Sequence, residues 1–171
     1  LQRALTGARL FAQNPEGWLI FQGDCGTGKT HLAAAIINDI RKRGGTGAYF
    51  VVVPDLLDHL RRAFNPESRI SYDLVFDLLR SARLLVLDDL GAQVSTPWAS
   101  EKLFQLLNHR YNYRLPTVIT MNCGLAELPT RLASRMADNR ISSNFLLNFP
   151  DYRSDRSWEE SGRSPVRKGR R

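Results

Sequence analysis

The sequence predicts an α/β domain built on a parallel sheet with helices on its faces. Three observations carry this. Short, continuous apolar runs recur along the chain: Trp18-Leu-Ile-Phe21, Ala48-Tyr-Phe-Val-Val-Val53, Leu84-Leu-Val-Leu87 and Thr117-Val-Ile-Thr-Met121. Runs without polar alternation suit strands covered on both faces. Segments of helical period separate them, and regular alternation of strand and helix is the mark of a parallel α/β sheet. Finally, the first run leads through a glycine-rich stretch directly into a helical pattern.

The elements follow in order. Residues 18–21 read as the first strand and residues 29–43 as a helix, with Leu32, Ile36 and Ile40 at i, i+4 spacing. Residues 48–53 are the second strand. Residues 55–64 form a helix that gathers Leu56, Leu57, Leu60 and Phe64 on one side, and residues 71–81 do the same with Leu74, Val75, Leu78 and Leu79. Residues 84–87 are the third strand. Thr96 followed by Pro97 is a start signal for a helix running to about residue 113. Residues 117–121 are the fourth strand, residues 129–137 a further helix, and residues 141–149 a final strand. Trp18 and Trp98 read as packing residues. No internal repeat is present, and no packed element is expected beyond about residue 153.

A chain of 171 residues suits one domain with a sizeable core. No apolar run approaches the roughly 20 residues that span a bilayer, and no secretory signal opens the chain. The first residue is Leu1 rather than Met, which fits a piece of something longer. Of the two cysteines, Cys25 lies inside the glycine-rich loop, where a disulfide would distort the backbone; reduced thiols and a cytoplasmic setting are expected. His31, His59 and His109 show no metal-ligand spacing. The net charge of +7 suggests a nucleic-acid partner, but residues 153–171 alone hold seven basic and three acidic residues, leaving +3 for residues 1–152. The division is therefore a domain over residues 1–152 and a solvated basic tail over residues 153–171.

Gly23-Asp-Cys-Gly-Thr-Gly-Lys29-Thr30 fits the phosphate-binding pattern of four free residues between a glycine and Gly-Lys-Thr. The glycines let backbone N–H groups close around a polyphosphate. Lys29 places a compact positive charge near the β- and γ-phosphates, and the Thr30 hydroxyl is placed to bind Mg²⁺. A helix that starts here adds the positive end of its dipole. About sixty residues on, four apolar residues end in Asp88 and Asp89. Asp88 at a strand's carboxyl end is a Mg²⁺ ligand in waiting, and Asp89 is the base or water-orienting carboxylate. Alone, the two acids read equally as caps of the turn before Gly91. Asn122 closes the fourth strand, where an Asn bonds an attacking water or a γ-phosphate, or simply makes a turn. Arg131 and Arg135 form an i, i+4 basic pair on a helix, which by itself is a solvated face.

Taken together and in this order, these segments resemble the AAA+ ATPases, most closely the DnaC/DnaI helicase-loader group, with the IstB transposition helpers as near relatives. The resemblance rests on Gly23-Asp-Cys-Gly-Thr-Gly-Lys-Thr-His-Leu-Ala33, Val53-Pro-Asp-Leu-Leu57, Leu85-Val-Leu-Asp-Asp-Leu-Gly91, Glu101-Lys-Leu-Phe-Gln-Leu-Leu-Asn-His-Arg-Tyr111, Pro116-Thr-Val-Ile-Thr-Met-Asn122 and Arg131-Leu-Ala-Ser-Arg-Met136, and it covers roughly residues 10–150. It implies a P-loop NTPase fold with a five-stranded parallel sheet in the AAA+ strand order. The nucleotide-binding set it implies runs over Gly23, Asp24, Cys25, Gly26, Thr27, Gly28, Lys29, Thr30 and His31, the histidine as a structural member. It also implies ATP and Mg²⁺ as ligands, Asn122 as sensor 1, Arg135 as an arginine finger reaching the ATP of a neighbouring subunit, single-stranded DNA as a ligand and a replicative DnaB-type helicase as a partner.

Three features depart from the pattern. The N-terminal region through which such proteins meet the helicase is not in this sequence. The second acid is Asp89 rather than the Glu of most AAA+ ATPases, one methylene and about 1.5 Å shorter. Little or no helical lid follows the last strand, leaving Arg153 as a weak candidate for sensor 2. The expected function is an ATPase whose turnover, slow in the isolated chain, is completed by assembly. A transposition helper and a nucleotide-gated DNA-binding module without useful hydrolysis are the alternatives. A small-molecule kinase lacks support, since neither an acceptor pocket nor an Arg-rich closing lid is visible.

Overall fold

A computed structural model of the chain describes residues 1–63, 72–91 and 96–151. Phe64, Ser71, Arg153 and the tail lie outside the described residues. Helix α1 (Gln2–Gln13) precedes strand β1 (Trp18–Gln22), followed by α2 (Lys29–Lys42), β2 (Ala48–Val52), α3 (Val53–Ala63), α4 (Tyr72–Ser81), β3 (Leu84–Leu90), α5 (Pro97–Asn112), β4 (Thr117–Met121), α6 (Thr130–Met136) and β5 (Ser142–Leu146). The five strands form one parallel sheet in the order β2-β3-β4-β1-β5. Among the described residues, no helix is long and apolar enough to cross a membrane.

Alternation within the strands divides the core into two layers. Trp18 and Ile20 of β1, Leu85 and Leu87 of β3, and Ile119 and Met121 of β4 point to the layer built by α3, α4, α5 and α6. Leu19 and Phe21, Leu84 and Val86, and Val118 point to the layer of α1 and α2. Both faces of each central strand are thus covered, which is why the sequence shows unbroken apolar runs there.

The strands and helices fall where the apolar runs and helical periods put them, with four differences. Helix α1 was not expected. Its buried face is mostly alanine (Ala4, Ala8, Ala12, with Phe11), while Leu1 and Leu10 point outward and Leu1 gives no side-chain cap. Hydrophobic bulk therefore does not trace the face that packs on α2. The second strand stops at Val52, and Val53 opens α3, because Pro54 in the first helical turn needs no amide partner. Strand β3 continues through the two acids to Leu90 instead of ending before them. Strand β5 is confined to Ser142–Leu146, an edge strand that pairs with β1. The chain beyond it still tracks β1, since the Leu147 amide donates to the Gln22 carbonyl at 2.7 Å.

Arg110 is fully buried on α5. Its guanidinium donates to the carbonyls of Leu79, Ala82 and Pro116 at 3.0, 2.9 and 2.6 Å and to the Thr117 hydroxyl at 2.9 Å. Two of these carbonyls lie at the carboxyl end of α4, where a helix leaves acceptors unsatisfied and carries partial negative charge. Burial pulls the Arg110 pKa down to about 10. The side chain ties α4, α5 and the entry to β4 into one layer.

Candidate functional site

In a parallel sheet every strand delivers its following loop to the same edge, and ligands gather where successive connections leave in opposite directions. Here the connection after β1 crosses to the β2 edge, while the one after β4 crosses to β5. The glycine loop after β1, the acids of β3 and Asn122 after β4 therefore meet at one crevice.

The loop is ordered by its own atoms. The Thr27 hydroxyl donates to the Asp24 carbonyl at 2.9 Å, and the Lys29 ammonium donates to the carbonyls of Gly23 and Asp24 at 2.8 and 2.6 Å. Gly26 and Gly28 sit at φ of 75° and 92°, the left-handed region that a side chain resists. A methyl at Gly26 would also run into the Asp151 carboxylate. Gly28 then caps α2, whose first residues Lys29 and Thr30 face the crevice. His31 is exposed rather than packed, and lines the same cavity as the loop. That cavity, about 690 Å³, has the loop as its polar side and Leu5, Leu32, Phe149 and Pro150 as its apolar side. Asp24 and Cys25 are exposed at the crown of the loop.

The acids are brought to the loop across the sheet. The Thr30 hydroxyl donates to Asp88 Oδ2 at 3.2 Å. Asp88 is buried, and its other oxygen accepts from the Thr120 hydroxyl at 2.6 Å. Asp89 is exposed and holds φ at 61°, a left-handed conformation that costs a residue with a side chain about 1–2 kcal/mol. Its amide donates to Thr120 Oγ1 at 2.9 Å, and its carboxylate accepts from Asn122 Nδ2 at 3.3 Å. Thr30, Asp88, Asp89 and Asn122 thus form one connected set. Thr120, which the sequence reading passed over as part of an apolar strand, stands at its centre. The available signal was a hydroxyl in a buried run two positions before Asn122.

Arg135 lies elsewhere. Its guanidinium donates to Asn108 Oδ1 through Nε and Nη2, at 2.9 and 2.6 Å, and to the Arg131 carbonyl at 2.9 Å. It also rests over the rings of Phe104 and Tyr111, 4.6 and 5.5 Å from their centroids. None of these partners belongs to the glycine loop or the acid set. Tyr111 in turn donates its hydroxyl to Asp138, whose carboxylate Arg140, and then Tyr111, hold well below its usual range.

The family described as IstB-like ATP binding protein matches residues 7–146. The replicative helicase loader DnaC of Escherichia coli (strain K12) is 31% identical over 157 residues, which is 88% of this chain and 63% of that protein. The chain therefore spans less than two thirds of that relative's length. The crystal structure of the DnaC helicase loader superposes with a TM-score of 0.67 at 30% identity, over 85% of this chain and 89% of that one. AMPPCP-bound DnaA from Aquifex aeolicus superposes at 0.74 with 19% identity, over 85% of this chain and 46% of that one, a likeness of fold. The sheet is that of the AAA+ P-loop NTPases, and the chain belongs to the IstB-like ATP-binding protein family.

Proposed function

We propose that this chain is the ATPase core of a helicase-loader-type replication factor. It binds ATP with Mg²⁺ on the loop from Gly23 to Thr30 and couples binding, hydrolysis and self-assembly to single-stranded DNA and a replicative DnaB-type helicase. The supporting observation is the contact between the Thr30 hydroxyl and Asp88, which unites the loop with an acid 58 residues away. The donor set suits the cation. Two hard oxygens stand together, and the described residues hold no cluster of three or more His, Cys, Asp or Glu side chains that would make an all-protein cage. A cation bound by few protein oxygens, with phosphate and water filling the rest, is the usual mode of Mg²⁺.

When bound, ATP and Mg²⁺ supply the phosphoanhydride bond and the charge that polarises it. The chain's residues do the remaining work. Loop amides and the head of α2 hold the phosphates. Lys29 exchanges its two carbonyl partners for phosphate oxygens. Thr30 and Asp88 hold the cation, Asp89 orients the attacking water and receives its proton, and Asn122 fixes the Asp89 carboxylate. Leu5, Leu32 and Phe149 offer the base an apolar wall. Arg135 completes the site of a neighbouring copy, so the isolated chain turns over slowly. Free thiols at Cys25 and Cys123 suit a cytoplasmic setting.

Two experiments test the reading. ATP turnover is measured for the chain alone and with single-stranded DNA and helicase; stimulation is expected. Co-precipitation of the full-length protein with a replicative helicase, with and without ATP, separates a loader from a transposition helper, the reading that the IstB family relationship also supports. A nucleotide-gated module without hydrolysis is favoured by the short reach of Asp89, and absence of turnover in every assembled state would establish it.

A further inference from the structure

The register of β3 against β4 breaks at the acids. Leu87 pairs with Ile119, and the next pairing is Leu90 with Met121. Two residues of β3, Asp88 and Asp89, thus stand opposite one residue of β4, Thr120. A bulge of this kind removes a regular ladder bond and re-aims the side chains beside it. Here the lost backbone partner is replaced by a side chain. Thr120 Oγ1 accepts the Asp89 amide proton at 2.9 Å and donates its own proton to Asp88 at 2.6 Å.

We infer that Thr120 is the positioning residue of the metal and water sites, a single hydroxyl that sets both acids at once. The argument is one of valence and direction. Thr120 is 1% exposed, so water does not compete for its hydroxyl. That hydroxyl has one proton, which goes to Asp88 Oδ1 and leaves Oδ2 for Thr30. Its lone pair receives the amide of Asp89, which holds the left-handed backbone and directs that carboxylate outward to Asn122. Without the hydroxyl, Asp88 loses the bond that fixes its rotation and the bulge loses its clasp. Neither change touches Lys29 or the loop amides. The inference rests on the proposed ATP–Mg²⁺ reading for its consequence, but not for its geometry.

The test uses three forms of the full chain: parent, Thr120→Val and Thr120→Ser. Valine keeps the shape and removes the hydroxyl; serine keeps the hydroxyl and removes the methyl. Amide hydrogen exchange at Asp89, read without nucleotide, reports the clasp directly. Exchange is expected to quicken at least about tenfold in Thr120→Val and to remain slow in Thr120→Ser. Calorimetric titration with ATP at stepped MgCl₂ reports the consequence. Metal-free ATP affinity is expected to stay within about twofold in both variants, while the MgCl₂ needed for half-maximal binding rises about tenfold in Thr120→Val alone. A purely packing role predicts the reverse order, because serine leaves the larger void. Unchanged Asp89 exchange in Thr120→Val, or equal impairment of Thr120→Ser, overturns the inference. A parent chain that binds no ATP overturns the proposed function and the metal consequence with it, while the exchange result still decides the clasp.

Discussion

Lys29 at the head of α2 and Arg135 on α6 are both cations assigned to phosphate, yet they are held in unlike surroundings. Lys29 is 8% exposed, and its ammonium rests on two carbonyls of its own loop, five and six residues upstream. Under the proposed function those are the groups a bound phosphate would displace, so the contacts already hold the side chain across its own loop. Arg135 is half buried, its guanidinium over the rings of Phe104 and Tyr111, and bonded to Asn108, 27 residues away. Its partners have no part in the phosphate crevice. The parallel sheet gathers the glycine loop, the acids and Asn122 within a single chain, while Arg135 is held apart at the α5–α6 corner, where the proposed function has it serve a second copy.

This contrast can be broken most strongly at Arg135. Arg135→Ala is expected to leave ATP affinity within about twofold and to remove the assembly-stimulated part of turnover, about 10³–10⁵ in rate or roughly 4–7 kcal/mol of barrier. Steady-state phosphate release with and without single-stranded DNA and helicase reads it. Equal loss in the unassembled chain would mean that Arg135 acts in its own subunit or on the fold.

Arg110 sharpens the comparison, because it is a cation of the same helix layer with no route to a ligand. Arg110→Met is expected to cost about 3–5 kcal/mol of stability by leaving buried carbonyls without donors. Denaturant unfolding reads this, and Arg110→Lys should recover only part, since an ammonium cannot reach partners spread around a planar fork.

At the phosphate edge, Lys29→Ala is expected to weaken ATP binding at least about 100-fold, or roughly 2.7 kcal/mol, with the melting temperature nearly unchanged. Unaltered affinity by calorimetry would remove the loop from the proposed function.

The smallest effect is at Asp138, which supports the corner through Tyr111. Its folded pKa lies below the ordinary carboxylate value, first through Arg140 and then through the Tyr111 hydroxyl. The unfolded chain therefore binds this proton more readily than the folded one. The stabilisation is complete above the unfolded pKa of about 4 and is lost as pH falls through the folded value. Asp138→Asn should lower the neutral plateau of a melting-temperature profile slightly and flatten its acid limb below about pH 4, so that the two proteins converge in acid.

The legible parts of the molecule are those whose signals are local. Thr96-Pro97 announces α5, and the Thr96 hydroxyl does accept from the Ala99 amide. The apolar run at residues 117–121 gives β4 to the residue. The glycine loop shows its chemistry in eight consecutive residues. By contrast, α1 has no cap and buries alanines, so its face became visible only when α2 supplied the partner surface. Arg135 and Arg110 are both arginines in helical sequence, and nothing local distinguishes a buried clasp for α4 from a cation parked on two rings.

The sequence by itself determined the class of fold, the core strands and helices other than α1, and the glycine-loop pattern, because each depends on residues within a few positions of one another. Tertiary structure alone decided the strand order, the bulge that sets Asp88 and Asp89 against Thr120, and the separation of Arg135 from the crevice. These depend on which strands become neighbours after 30 to 60 residues of intervening chain, and a side chain's partner at that distance is fixed by packing, which the order of residues does not display.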